Sequence, residues 1–280
     1  MQEHDVPPRL SYLSVKPASL ADARALAKVY VATFQNDGFL RWIWQLPSED
    51  SPDRARVEKL AIQNQMMVRS RDLCNPASHV FCVYDTSVLG SDGKPKLIGQ
   101  SGWRIFKPTS TDPKVSPLVT SYTSRIRHAT SLEGRAIRIT RFYNSVVERM
   151  VSTRIYRLWN PNLAAMFDRY ARWLQIRNEA YDKFILPEDT ERGYYTLGLL
   201  ATLPEYERRG IGTMLLRWGL DKADQDDVAV YVSASPAGAG LYTKQGFELI
   251  HERECFPGEK YGGFIVAVLR RKRMSERKAA

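Results

Sequence analysis

Leu197–Phe247 reads LGLLATLPEYERRGIGTMLLRWGLDKADQDDVAVYVSASPAGAGLYTKQGF, which sets an apolar strand, a glycine-bearing loop and an amphipathic helix in succession. Tyr195, Leu197, Leu199 and Leu200 precede a turn at Pro204. Ile211, Met214, Leu215 and Trp218 then fall at i, i+3, i+4 and i+7, which is one apolar helical face. Gly210 and Gly212 lack a Cβ, so the loop between strand and helix can turn sharply and bring backbone N–H groups close to an anion. The first N–H groups of a helix have no partner within it and sit at the positive end of the macrodipole, so such a helix start can bind phosphate. Two common nucleotide signatures fail here. A dinucleotide fingerprint requires a third glycine where Leu215 stands, and a phosphate loop requires Gly-Lys-Ser/Thr, which this stretch lacks.

Towards the N-terminus, Ser11–Lys16 reads as a strand. Ser19 then caps a helix carrying Leu20, Ala23, Ala27, Tyr30, Val31 and Phe34 at helical spacing. Phe39–Trp44 is dense in aromatics, whose size argues for core ahead of pocket. A second helix runs through Val57, Leu60, Ala61 and Val68. Val80–Tyr84 and Lys96–Phe106 read as a hairpin across Ser91-Asp92-Gly93. From Lys107 to about Arg192 the strand pattern stops. A Ser/Thr/Pro-rich loop through Ser124 is followed by two helical faces, Phe142 to Leu158 and Leu163 to Leu174, broken at Asn160-Pro161. The final third alternates strands and helices and ends with Ala267–Leu269, which specifies an α/β layer architecture. No internal repeat is present.

The chain has 280 residues and a formal charge of +10. One domain with an insertion fits this length. Cys74, Cys82 and Cys255 are widely spaced with no Cys-x-x-Cys pair, which indicates neither a disulfide framework nor a metal site and points to a reducing compartment. The start MQEHDVPPRL lacks the basic and apolar runs of a signal peptide. No stretch approaches the roughly 20 apolar residues of a membrane span. The expectation is a soluble cytoplasmic protein. The cluster Arg270–Lys278 reads as a solvated basic tail over 270–280, with nuclear import or nucleic-acid contact as the alternatives. The positive excess also suits a ligand bearing several phosphates.

Leu200-Ala201-Thr202-x-Pro204-x-Tyr206-x-x-x-Gly210-Ile211-Gly212-x-x-Leu215-Leu216, followed by Ser235-Pro236-Ala237 and Leu241-Tyr242-x-Lys244-x-Gly246-Phe247, closely resembles the Gcn5-related N-acetyltransferases (GNAT), especially fungal members. The resemblance is specific over Gly193–Phe247 and faint over the middle of the chain. It implies a single acetyltransferase domain over 1–280 with a mixed, splayed central sheet flanked by helices. The segment 107–192 is then an insertion between the third and fourth strands. Acetyl-CoA is the implied co-substrate. On the family pattern, Arg208, Arg209, Gly210, Ile211, Gly212 and Thr213 hold its pyrophosphate, and the backbone of Leu200, Ala201 and Thr202 pairs with its pantetheine arm like an added strand. Tyr242 occupies the position whose phenol reaches the cofactor sulfur as general acid. Two positions depart from the pattern. Glu207 stands where Gln or Arg is usual, and Ser235 stands where many members have Asn.

Acyl transfer requires an unprotonated amine. At pH 7 an alkylammonium of pKa about 10.4 costs roughly 4–5 kcal/mol to deprotonate, so a base is expected. The strand Tyr194–Leu200 supplies no acid or histidine, which leaves Glu191, His79, His128 and Tyr195 open. The expected acceptor is a small-molecule amine, because the helical insertion and Phe39–Trp44 can enclose a pocket. A protein lysine or N-terminus, or an acetyltransferase fold that binds without turnover, are the alternatives. A nucleic-acid partner ranks last. The oligomeric state is not legible.

Overall fold

The computed structural model describes residues 11–47, 50–75, 77–90, 93–106, 108 and 161–279. His128, the Ser/Thr/Pro-rich loop and the expected helix from Phe142 to Leu158 lie outside the described residues.

A seven-stranded mixed sheet organises the chain. Its strands are β1 (Leu13–Pro17), β2 (Ser78–Leu89), β3 (Pro95–Phe106), β4 (Tyr194–Thr202), β5 (Val230–Ala234), β6 (Phe247–Cys255) and β7 (Phe264–Arg271), in the order β1-β2-β3-β4-β5-β7-β6. Every neighbouring pair is antiparallel except β4 and β5, which run parallel. That parallel pair is short. Only Tyr195–Leu197 pair with Val230–Val232, although β4 continues to Thr202, so the sheet splits beyond Leu197.

Helices cover both faces. Alternate residues of a strand point to opposite faces, and β3 shows the consequence. Gln100 donates from Nε2 to the Leu26 carbonyl of α1 (Ala23–Phe34) at 2.7 Å, while Trp103 packs on Gly219 of α6 (Ile211–Gln225). Before α1, the Asp22 carboxylate accepts from both the amide and the hydroxyl of Ser19 at 2.8 Å. This fixes the chain entry at the residue expected to cap the helix, with a short 3-10 turn over Leu20–Asp22.

The aromatic run forms α2 (Gly38–Trp44), and α3 (Arg54–Leu73) packs on α1. Leu40, Trp42, Ile43 and Trp44 are buried, so the run is core. It also anchors α4 (Pro161–Phe184), the longer of the two described helices in the segment 107–192. Phe39 meets Trp173 at 4.5 Å between ring centroids, and Arg169 Nε donates to the Ile43 carbonyl at 2.7 Å. Trp42 stacks on Phe256 at 3.8 Å and donates to Glu259, which also accepts from Arg172. These contacts hold α4 over the β5-β7-β6 side of the sheet.

The C-terminal basic cluster is not a solvated tail. Arg270 and Arg271 belong to β7 and are each only 7% exposed. Arg270 pairs with Asp189 of α5 (Pro187–Arg192) at 2.8 Å and with Glu276 of α8 (Met274–Ala279) at 2.9 Å. Arg271 donates to both oxygens of Asp224 on α6, at 2.6 and 2.8 Å. Tyr231 joins the cluster by donating to Asp189 at 2.6 Å, and burial pushes its phenol far above the ordinary range. Buried charges persist only when paired, so these arginines are tied to the fold. Glu188, Asp189 and Glu276 lie close enough to suggest a cation site, but Arg270 and Arg273 already supply their positive charge.

Cys74, Cys82 and Cys255 are buried free thiols. Among the described residues, no helix is long and apolar enough to cross a membrane.

Candidate active site

The split between β4 and β5 has a local cause. Trp103 pairs with Leu197 and Gly102 with Leu199, so Gly198 is one residue extra on β4. Such a bulge interrupts pairing and re-aims the strand. Before it, Tyr195 and Leu197 share a face with Trp103. After it, Leu200 reaches within 3.8 Å of a Cβ built on Gly212 of α6. Gly198 is itself exposed in mid-strand, between Leu197 and Leu199 at 2% and 7% exposure. An exposed glycine there marks an opening in the sheet, edged by the backbone of Gly198–Thr202.

The glycine loop stands at that opening. Gly210 is the residue preceding α6 and has φ 86°, a left-handed conformation that other residues adopt only with strain. No atom lies within 4 Å of a Cβ built on it. Arg208 also has positive φ, at 60°. No side chain caps α6, so the first N–H groups of Ile211, Gly212 and Thr213 are presented at the loop. Gly212 is tightly packed, since a Cβ there would stand 3.1 Å from Leu241 Cδ2.

The side chains around the loop are placed unevenly. Arg209 donates to the Glu205 carbonyl at 2.8 Å and lies 5.0 Å over the Tyr206 ring, which Lys96 covers at 5.3 Å. It therefore braces the turn Pro204–Tyr206 behind the helix start. Tyr206 in turn donates to Asp85 at 3.0 Å. Arg208 and Glu207 are exposed, so the Glu207 carboxylate sits in solvent.

Helix α7 (Pro236–Lys244) closes the other side of the opening. Ser235 precedes it and offers its carbonyl to the amides of Gly238 and Ala239, at 3.0 and 3.2 Å, while its hydroxyl does not cap the helix. Tyr242 is 6% exposed and leans back over its own first turn, so that a Cβ on Gly238 would lie 3.8 Å from its hydroxyl. Its ring also meets Phe247 at 5.7 Å.

Of the candidate bases, the three within the described residues are not at this opening. Tyr195 donates to Asp226 at 2.6 Å on the α6 face. His79 lies on β2 beside Trp218, with β3 and β4 between it and the opening. Glu191 is exposed at the start of β4, the end opposite the loop. What lies nearer is a cavity of about 260 Å³ between α4 and the sheet. Ser233 of β5 pairs with Val268, which pairs with His251, so these three form one row across the strands on the cavity side. His251 stacks on Phe184 of α4 at 4.2 Å between centroids. Sequence reasoning passed over His251, because its relation to β5 depends on a three-strand register with no local signal. Gly198 was readable as a bulge, since a lone glycine inside an apolar strand pattern suggests one.

Residues 176–249 match the model of the acetyltransferase (GNAT) domain. The chain is similar to a probable acyltransferase, SID5, of Ajellomyces capsulatus, with 44% identity over 46 residues that cover 16% of this chain and 34% of that protein. It is also similar to an acetyltransferase of Stachybotrys chartarum, with 47% identity over 49 residues that cover 18% of this chain and 21% of that one. The matched part thus spans about a third and about a fifth of these two relatives. A solved structure from Corynebacterium glutamicum, described as histone acetyltransferase HPA2 and related acetyltransferase, overlays with TM-score 0.45 and 19% identity, over 94% of this chain and 97% of that one.

Proposed function

We propose, from the match of residues 176–249 to the GNAT domain model, that this chain transfers an acetyl group from acetyl-CoA to a small amine bound directly beside it. The observation that carries this reading is the uncapped start of α6, with Gly210 in a left-handed conformation, standing where β4 and β5 part. A pyrophosphate suits that site. The N–H groups of Ile211, Gly212 and Thr213 donate to it, Arg208 adds charge at the rim, and the solvent-facing Glu207 leaves the backbone cradle intact. Arg209 contributes by holding the preceding turn. Beyond the Gly198 bulge, the backbone of Leu200, Ala201 and Thr202 offers strand-type hydrogen bonds to a pantetheine arm, with Ser235 at the far wall.

Acetyl-CoA supplies a thioester whose C–S bond breaks as the N–C bond to the acceptor forms. The chain's own groups manage the protons. Tyr242, lying back over the start of α7, is the donor to the departing sulfur; the reference pKa of a phenol, about 10, is close enough to that of a thiol, about 8.5, for proton sharing. Ser233 and His251 lead away on the acceptor side. Their Cα atoms stand about 10 Å apart, two strand spacings, so His251 faces Ser233 from across the cavity. Glu179 and Lys183 of α4 and Arg253 of β6 line the same cavity as His251.

The reading is tested by thiol release from acetyl-CoA across an amine panel. Amine-dependent release supports it. Cofactor binding without release on any amine favours a binding module instead.

A further inference from the structure

The cavity beneath α4 also carries information on what the acceptor must look like, given the acetyl-transfer reading above. Its two ends differ. Ser233 lies on β5, next to the split where acetyl would be delivered. Arg253 lies two strands away on β6 and two residues further along, since His251 pairs with Val268 and Arg253 with Val266. With strands about 4.8 Å apart and about 3.4 Å rise per residue, the two Cα atoms stand roughly 12 Å from each other. Between them the lining is apolar, formed by Val266 and Val268 below and by Trp173 and Phe184 above.

Charge separates the ends further. Glu179 and Lys183 are four residues apart on α4, one turn, so their opposite charges largely balance. Glu179 is additionally held by Gln175 Nε2 at 3.0 Å. Among the described residues that line the cavity, Arg253 then leaves a net positive charge on the β6 side, away from Ser233. A second ammonium is repelled there, whereas a carboxylate gains a charge-assisted, geometrically directed contact with the guanidinium.

We propose that the acceptor is an ω-amino carboxylate: a primary amine presented at Ser233, an apolar spacer over Val266 and Val268, and a carboxylate at Arg253. The test is steady-state acetyl transfer by the full chain with three series matched in length, namely n-alkylamines, ω-amino carboxylates and α,ω-diamines. The carboxylates are expected to exceed the alkylamines in kcat/KM by about tenfold at an optimum spacer length, with the diamines lowest. Arg253→Gln is expected to bring the ratio of carboxylate to alkylamine near unity, and Arg253→Glu to invert the order in favour of the diamines. Equal or better turnover of alkylamines, diamines or a lysine peptide by the unmodified chain overturns the proposal, as does an Arg253→Gln ratio equal to that of wild type. If no amine is turned over, the series is titrated calorimetrically into the CoA-saturated protein. Absence of preferential carboxylate binding there overturns it equally. Failure of acetyl-CoA itself to bind defeats the acetyl-transfer reading instead, so the two failures are distinct.

Discussion

Gly212 and Leu241 are in direct contact: a Cβ at position 212 would stand 3.1 Å from Leu241 Cδ2. The start of the helix proposed to hold pyrophosphate therefore packs on the helix that carries Tyr242. Gly212→Ala should change stability by less than about 1 kcal/mol, because the gain in helix propensity offsets a contact that the flexible end of Leu241 can relieve. Gly212→Val has no such escape. It should lower the melting temperature and weaken acetyl-CoA binding by about tenfold, measured by calorimetry. Unchanged affinity in a folded Val variant would remove this loop from the cofactor site.

Gly219 lets α6 lie directly against the sheet. A Cβ there would lie 2.3 Å from Cε2 of Trp103, a residue only 1% exposed. Alanine is the better helix former, yet here the gain of about 1 kcal/mol loses to overpacking of about 1–3 kcal/mol or more. Gly219→Ala should move the urea midpoint down without changing the slope of unfolding.

Asp85 gives the protein an acid-sensitive anchor. Burial raises its carboxyl pKa, but hydrogen bonds from the hydroxyl and amide of Ser87 and from Tyr206 outweigh this and hold it below the usual carboxylate value. A depressed carboxylate stabilises the fold above the unfolded pKa, about 3.9, and the contribution is lost as pH falls through the lower folded value. Tyr206→Phe should cost about 1 kcal/mol at pH 7 and less towards pH 2, as followed by chemical denaturation at each pH. A cost that is constant with pH would show that the bond does not contribute through the charged form of Asp85.

The proton-handling roles separate from binding. Tyr242→Phe should lower kcat by about a hundredfold with little change in acetyl-CoA affinity. His251→Gln should lower kcat about tenfold with little change in acetyl-CoA affinity. Unchanged turnover of either variant would remove that residue from the proposed proton handling.

Much of the fold was legible because it is written in local patterns. The i, i+3, i+4, i+7 face of Ile211–Trp218, the Gly210 turn and the hairpin strands around Gly93 each depend on neighbours in sequence. The sites that escaped depend on long-range register. Arg270 and Arg271 looked like a tail because their partners, Asp189 and Asp224, lie 81 and 47 residues away. The brace from Arg209 to the Glu205 carbonyl likewise depends on how the turn folds back. Tyr195 looked like a base, but its phenol is held by Asp226 across the α6 face. His251 gained meaning only through the pairing of β6 with β7 and of β7 with β5.

The central claim is that acetyl-CoA binds at the start of α6, where β4 and β5 separate. Calorimetric titration of acetyl-CoA into the full chain tests it most directly, with Gly210→Val run in parallel because φ 86° strains any branched residue there. The account expects saturable one-to-one binding that Gly210→Val weakens by at least tenfold. No saturable binding by the wild-type chain, or equal affinity in a folded Gly210→Val variant, would contradict it.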